Sequence, residues 1–228
     1  MDNEKVTSFP VIAIDGPSAS GKGTIARKLA EWLDFAWLDT GLLYRAVGLA
    51  VLRGGGDPSD ALAAEKAALA LDPVAVTGGA DCDALRSDEA SMAASKVAVV
   101  PAVRAALLAF QRDFCRTPPG GKKGAVLDGR DIGTVIAPDA PVKLFVTASA
   151  EARAERRFKE LQGRGIGASY PEVLADMRER DARDAAREVA PTKPAKGAVV
   201  LDTTTLDAAQ AFAAAQAFVK EAFALKSQ

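Results

Sequence analysis

VIAIDGPSASGKGT, residues 11–24, is the stretch that decides the fold. The apolar run Val11–Asp15 predicts a short buried strand, and Gly23–Leu33 has the spacing of a helix. Between them stand small residues and one lysine, Lys22. A strand, a glycine-rich loop and a helix in this order are typical of a phosphate-binding loop, in which backbone N–H groups and a helix N-terminus converge on phosphate oxygens. A loop that merely turns the chain is the structural alternative.

The loop predicts a site for the phosphates of ATP. Lys22 supplies a charge that can bridge the β- and γ-phosphates, and the hydroxyl of Thr24 is a candidate neighbour of Mg²⁺. Gly23 stands where the strict motif has Ser or Thr, and this variant is seen in nucleoside monophosphate kinases. The residues assigned to ATP here are Gly16, Pro17, Ser18, Ala19, Ser20, Gly21, Lys22, Gly23 and Thr24.

Working outward, short apolar runs alternate with longer helical patterns. The further predicted strands are Ala36–Leu38, Ala125–Asp128, Val142–Thr147 and Ala198–Asp202. The further predicted helices are Gly41–Arg53, Asp60–Leu71, Pro101–Arg116, Ala150–Gln162, Tyr170–Arg187 and Leu206–Leu225. This alternation favours an α/β fold with three layers, in which a five-stranded parallel sheet carries helices on both faces. Residues 72–88 hold turn signals and brief β-like pairs, so we expect a small irregular region there.

The composition excludes several classes of protein. The 228 residues, 49% of them hydrophobic, are enough for one domain with a full core. A net charge of −1 does not support a broad basic surface for nucleic acid. Histidine is absent, which excludes Ser-His-Asp and Cys-His triads and His-bearing zinc sites. The two cysteines, the polar residues 1–8 and the lack of an apolar run of about 20 residues lead us to expect a soluble, cytoplasmic protein.

Three polar clusters are candidates for a second substrate site. DTGLLYR, residues 39–45, and DGRDIGT, residues 128–134, each follow a predicted strand, at the edge where open α/β sheets bind ligands. In the third cluster Arg180, Asp184 and Arg187 share one face of a predicted helix. Taken singly, an exposed helix start and ordinary ion pairs on a solvated helix are the competing interpretations of the first and third clusters.

In their order and spacing these motifs resemble the bacterial cytidylate kinases, which phosphorylate CMP and dCMP and belong to the nucleoside monophosphate kinase group. The phosphate loop without the other motifs would not separate that family from adenylate, guanylate or shikimate kinases. The resemblance covers nearly the whole chain. It rests on IDGPSASGKGT, LDTGLLYR, SKVAVVPAVRAALL, LDGRDIGT, PDAPVKLFVTAS, ERDARDAAREVAP and LDTTTL.

The resemblance implies one P-loop kinase domain, residues 1–228, with two appended segments. One is a small insertion that binds the nucleoside monophosphate, and the other is an arginine-rich lid. The insertion is shorter than in long-form family members, and its hairpins look trimmed. The implied parts are a core of residues 9–53, 99–150 and 171–228, an insertion of about 54–98 and a lid of about 151–170.

The resemblance also implies the residues that hold CMP. The family's base contacts match Ser95, Arg104 and Asp131. This set suits cytosine, because a carboxylate can accept from the exocyclic amine while a guanidinium donates to N3 and O2, and uracil reverses that pattern. The ribose contacts match Arg180 and Asp184. The phosphate contacts match Arg45, Arg130 and Arg187, beside Gly129, and Thr40 and Tyr44 match further positions near the substrate.

The same resemblance implies direct in-line phosphoryl transfer from ATP to CMP with Mg²⁺ as cofactor. Arg156 and Arg157 of the lid are both candidates to contact ATP, with no choice between them. The residues assigned to catalysis are Lys22, Arg130, Arg157 and Asp128, the last to orient Arg130 or metal-bound water. Mg²⁺ is expected mainly on ATP phosphates and water, with Thr24 nearby. We expect a monomer that acts on these small molecules, with no nucleic acid or membrane as partner.

Two alternatives stay open at this point. One is a different small-acceptor kinase, either a UMP/CMP enzyme of relaxed specificity or a kinase of a non-nucleotide acceptor. The other is a nucleotide-binding module that hydrolyses ATP and transfers phosphate to nothing. Arginines facing the phosphate loop speak against the module, because an ATP sensor has no use for them.

Overall fold

The computed structural model describes residues 9–78, 82–187 and 189–224. Their centre is a parallel sheet of five strands in the order β2-β3-β1-β4-β5. The five predicted strands and their parallel arrangement are confirmed, with ends that move by one residue. The strands are β1 Val11–Asp15, β2 Ala36–Asp39, β3 Ala125–Gly129, β4 Val142–Thr147 and β5 Val199–Asp202.

Helices cover both faces of the sheet, as the alternation predicts. On one face Leu29 and Val219 pack with the buried side chains of β1 and β4. On the other face Phe114 and Ile132 pack with β1 and β3. Edge strand β5 differs from the other strands, because three of its four residues are exposed. The helices are α1 Lys22–Leu33, α2 Gly41–Arg53, α3 Ala61–Leu69, α4 Pro73–Thr77, α5 Cys82–Leu85, α6 Asp88–Val97, α7 Pro101–Arg116, α8 Ala150–Gly163, α9 Tyr170–Ala185 and α10 Ala208–Ala224.

Two short helical turns complete the described chain. A 3₁₀ turn spans Pro119–Gly121, and a π-helical turn spans Ile132–Ile136 directly after β3. The predicted end of the last helix, at residue 225, lies outside the described residues, as do residues 1–8.

The expectation of β-like pairs in residues 72–88 is wrong, because the described residues there form short helices. Asp72 accepts hydrogen bonds from the backbone N–H groups of Val74 and Ala75, so it caps α4, and a proline follows at the first helical position. Helix α6, which the sequence analysis did not predict, is capped by Ser87. The described residues of the predicted insertion, 54–78 and 82–98, are therefore mainly helical.

Helices α2 and α6 approach each other closely enough for their backbones to touch. A Cβ atom placed on Gly48 would lie 2.6 Å from the Cβ and 2.8 Å from the carbonyl carbon of Ala93. Leu43 and Val47 of α2 pack with Val97 of α6 in a shared core. This contact attaches the insertion firmly to the helix that follows β2.

The segment predicted as a lid, about residues 151–170, contains most of α8 and the loop that leads to α9. Ala154 and Leu161 of α8 pack against Val173 and Met177 of α9. Ser169 begins α9 with reciprocal hydrogen bonds to Glu172, which is a capping box. Helices α8 and α9 therefore form a packed unit that follows β4.

Within the described residues no single helix is long and apolar enough to cross a membrane. A bent pair, α6 with the segment that begins at α7, meets the same criteria of length and composition, with an angle of 104° between its parts.

Candidate active site

The phosphate loop begins at Gly16, directly after β1. Any other residue there would force the backbone of β4 to move. A Cβ atom on Gly16 would lie 2.0 Å from the carbonyl oxygen of Val146. Gly21 has a φ of 89° and caps α1, a conformation that glycine adopts without strain. Lys22 opens α1, and its Nζ donates to the carbonyl oxygen of Pro17 at 3.3 Å. The lysine therefore lies across its own loop, where an anion would sit.

Asp128 reaches this loop from the end of β3. A Cβ atom on Gly23 would lie 3.6 Å from Asp128 Oδ2, and the indole N–H of Trp37 donates to Oδ1 at 2.8 Å. Burial, together with the charge of Asp39, raises the pKa of Asp128 to about 7. Burial, together with Arg130, lowers the pKa of Lys22 to about 7. A bound anion would restore the full charge of the lysine.

All eleven residues assigned to CMP line one cavity of about 70 Å³. Lys22 and Asp39 line it too, so the cavity joins the phosphate loop to the predicted acceptor site. Its volume suits only a few water molecules, and side chains must therefore move before a nucleotide enters. Asp39 stands in the predicted cluster of residues 39–45 but received no role of its own from the sequence, and the structure places it in the lining of this cavity.

Asp184 is buried between two arginines of the predicted phosphate site. Arg130 donates to it through Nε at 3.0 Å, and Arg187 pairs with its other oxygen. Burial opposes the charge of Asp184, but Arg130 and Arg187 outweigh that effect and hold the pKa of the carboxyl below its usual value. Within the described chain the Nε atoms of Arg180 and Arg187 are buried without a hydrogen-bond partner. These two donors remain for a ligand.

The predicted base contacts form a second buried group. Arg104 pairs with Asp131, and its guanidinium lies 5.6 Å from the centre of the Tyr44 ring. Ser95 is only 2% exposed and accepts a hydrogen bond from Arg183 Nε at 3.4 Å. Ser95 is therefore a buried residue of α6 and not a serine on the helix surface.

Thr40 directly precedes α2, but its side chain makes no capping hydrogen bond there. Its hydroxyl donates to the backbone carbonyl of Asp128 at 2.8 Å, and Asp39 instead accepts from the N–H of Gly41. Thr40 is buried and joins β2 to β3 beside the cavity. The local pattern gave no sign of this partner, because the two residues are 88 positions apart.

The two lid arginines that the sequence could not separate lie in different places. Arg156 donates to the hydroxyl and carbonyl oxygens of Thr203, so its guanidinium is bound to the loop after β5. Arg157 pairs with Asp88 and Glu160 and lines a cavity of about 610 Å³ between lid and insertion. Arg157 is therefore the one that faces open space.

Two further side chains, one from α8 and one from the loop after β5, contact the phosphate loop. Arg153, almost fully buried, donates to the carbonyl oxygen of Ser18 at 3.2 Å and pairs with Asp181 of α9. Thr203 donates to the carbonyl oxygen of Ser20 at 2.9 Å. Both side chains support the phosphate loop from outside, and no local pattern in the sequence indicates either contact.

The donors near the loop suit a hard cation. The Thr24 hydroxyl is exposed on the first turn of α1, and the Asp128 carboxylate lies against the same turn. Mg²⁺ prefers such oxygens and is commonly held by one or two protein groups together with phosphates. No group of three or more His, Cys, Asp or Glu side chains that could hold a metal ion occurs in the described ranges.

Comparison with known proteins identifies the family. The model of the cytidylate kinase family matches residues 12–221. A cytidylate kinase of Paramagnetospirillum magneticum is 64% identical over 90% of this chain and 95% of its own. One of Rhodospirillum rubrum is 60% identical over 90% of this chain and 94% of its own. A solved structure, TT1252 from Thermus thermophilus, is similar over 92% of this chain and 98% of its own at 25% identity, with a TM-score of 0.41. The chain belongs to the cytidylate kinase family.

Proposed function

We propose that this chain transfers the γ-phosphoryl group of ATP to CMP and dCMP, forming ADP and CDP or dCDP. The observation that carries the proposal is the single cavity in which all eleven predicted acceptor residues meet Lys22 of the phosphate loop. Family membership and the names of the relatives agree with it.

On the donor side, the loop between Gly16 and Thr24 binds the phosphates of ATP through its backbone N–H groups and Lys22. Mg²⁺, when bound with ATP, neutralises charge on the phosphate oxygens, and Thr24 and Asp128 would hold it or its water. Arg157 completes the donor side from the lid, since it faces the larger cavity together with Ser18 and Ala19 of the loop. These groups position the phosphates and exclude water.

On the acceptor side, Arg45, Arg130 and Arg187 hold the phosphate of CMP. Arg130 and Arg187 are already oriented by Asp184, so less side-chain freedom is lost when the anion binds. The second ionisation of a phosphate monoester lies near pH 6, so the attacking oxygen is charged at neutral pH and needs no general base. Positioning and charge stabilisation therefore suffice, in agreement with a chain that has no histidine.

The base is recognised by Ser95, Arg104 and Asp131. The buried Arg104–Asp131 pair presents donors and an acceptor side by side. Uracil would place a carbonyl oxygen against the carboxylate where cytosine offers its amine, so two acceptors would face each other in a buried site. We therefore propose that CMP is preferred over UMP.

An assay of ADP release with CMP, dCMP, UMP, AMP and shikimate tests the proposed function. We expect rapid turnover with CMP and dCMP and little with the other acceptors. Equal turnover with UMP would favour an enzyme of relaxed specificity, and turnover with shikimate would favour a non-nucleotide acceptor. ATP hydrolysis that no acceptor changes would favour a module that transfers nothing.

We also propose that the chain acts as a monomer on free nucleotides, in cytoplasmic pyrimidine metabolism. The support is its near-neutral charge and the completeness of the acceptor cavity within one chain. Size-exclusion chromatography with light scattering tests the oligomeric state, and a dimer mass would contradict it.

A further inference from the structure

Asp15 is a buried carboxylate to which no role has been assigned. It ends β1, immediately before Gly16 of the phosphate loop, and is 3% exposed. It lies outside the lining of both cavities, so it contacts neither proposed substrate directly. A charged group in such a place needs strong compensation.

The compensation comes from the segment that reads the base. Asp15 Oδ1 accepts from the backbone N–H of Ile132 at 2.7 Å, and Oδ2 accepts from that of Gly133 at 2.8 Å. Both N–H groups belong to the first turn of the π-helical segment after β3. Asp15 thus satisfies donors at the start of a helical turn 117 residues away in sequence.

By position, that turn should be capped by Asp131. Aspartate is among the preferred capping residues, but the side chain of Asp131 makes no capping bond in this structure. It pairs with Arg104 instead. Because Asp15 binds the free N–H groups, the carboxylate of Asp131 is available to the base.

The glycine at position 133 admits this arrangement. A Cβ atom there would lie 3.3 Å from Asp15 Oδ2 and 3.0 Å from the Cβ of Ala195. A side chain would press on the carboxylate from one side and on a packed alanine from the other. Gly133 of the DGRDIGT motif therefore leaves room for the Asp15 carboxylate.

The surroundings of Asp15 act on its pKa in opposite directions. Burial raises its pKa to about 6, while the two backbone N–H groups act in the opposite direction. Of the charged neighbours, Asp131 raises the pKa and Arg130 lowers it. The carboxylate is thus held in a place where an apolar residue would avoid the cost of burying a charge.

We propose that Asp15 is a positioning residue that caps the segment after β3 and thereby sets Asp131, which reads the base. The inference rests on the proposed function, since it assumes that Asp131 faces cytosine. One side chain then aligns the end of the phosphate-loop strand with the acceptor pocket. Displacing it should loosen base recognition while leaving the phosphate loop intact.

The test is Asp15→Asn, measured by equilibrium binding of CMP and UMP without ATP and by steady-state kinetics with ATP. Asparagine keeps the size but offers one acceptor, and its amide N–H₂ would face a backbone N–H. We expect CMP affinity to fall on the order of tenfold, with a smaller preference over UMP, because a buried donor is left unpaired. The KM for ATP should change much less.

Asp207→Asn is the matched control. Asp207 also accepts two backbone N–H groups, from Ala209 and Gln210, but at the exposed start of α10. We expect its CMP affinity and base preference to equal those of the unmodified chain. An equal loss of CMP affinity in both variants would overturn the inference.

The outcomes separate the inference from the proposed function. If the unmodified chain binds and phosphorylates CMP while Asp15→Asn keeps its affinity and base preference, only the inference fails. If the unmodified chain does not bind CMP, the proposed function fails first. If Asp15→Asn does not fold, Gly133→Ala takes its place. It should weaken CMP binding in the same selective way, and unchanged affinity would overturn the inference.

Discussion

The donor side and the acceptor side of this site are built in opposite ways. The proposed donor side consists mainly of one contiguous stretch, residues 16–24, in which we expect backbone N–H groups to bind the phosphates. The proposed acceptor side is assembled from side chains of distant segments, and three of its five arginines pair with buried carboxylates. Arg104 has Asp131, while Arg130 and Arg187 share Asp184.

The difference separates two kinds of dependence on sequence. Backbone donors need only a permissive local geometry, which glycines at positions 16 and 21 supply. Side-chain donors need neighbours that hold them in place before the ligand arrives. Changes to the donor side should therefore reduce transfer for every acceptor, and changes to the acceptor side should alter which acceptor is used.

The largest expected effect tests the donor side. Lys22→Ala removes the charge that stabilises the transferring group, so we expect kcat with CMP to fall on the order of 10²–10³-fold. Lys28→Ala, on the same helix with its ammonium over the Phe212 ring, is the control. Steady-state kinetics decides, and near-normal turnover of Lys22→Ala with an intact fold would refute the assignment of the loop.

Arg156 and Arg157 of the predicted lid should differ in their effect on turnover. Arg157→Ala should lower kcat by about 10²-fold, because this arginine faces the cavity and can reach developing charge. Arg156→Ala should lose less turnover and more thermal stability, since it removes contacts to Thr203. Arg178→Ala, which breaks only an exposed pair with Glu151, is the control. A larger kinetic loss in Arg156→Ala would reverse the assignment.

Base selection should depend on the acceptor side. Arg104→Met removes the donors beside Asp131, so the preference for CMP over UMP in kcat/KM should fall about tenfold. Arg116→Met is the control on the same helix, since Arg116 is exposed and forms an ion pair with Asp113, three residues before it. An unchanged ratio in Arg104→Met would show that the base is read elsewhere.

The smallest expected effect on turnover concerns Asp128, which lies at the end of β3 against the first turn after the phosphate loop. Trp37→Phe removes the N–H that stabilises the charged form of Asp128, so the pKa of that carboxyl should rise above about 7. The acid limb of the kcat–pH profile should then move to higher pH, with a loss of about threefold at neutral pH. Trp32→Phe, on the surface against Lys220, is the control. Identical kcat–pH profiles for Trp37→Phe and the unmodified chain would show that Trp37 has no influence on phosphoryl transfer.

The same contrast explains what the sequence could predict. Strands, the phosphate loop and the acceptor residues follow from local patterns and from ordered motifs that resemble a known family. Helix α6, the partner of Thr40 and the separate places of Arg156 and Arg157 did not follow. Each depends on a cap or on a partner far away in sequence, such as Asp88, which lies 69 residues before Arg157. Local spacing carries no information about such a partner.

The close contact between Gly48 and Ala93 fixes the distance between helices α2 and α6. Helix α2 carries Arg45, which is assigned to the phosphate, and helix α6 carries Ser95, which is assigned to the base. Because the two backbones touch, the spacing between these two grips is fixed by the fold instead of by flexible side chains. The absence of a side chain at Gly48 therefore sets the distance between the residue assigned to the phosphate and the residue assigned to the base.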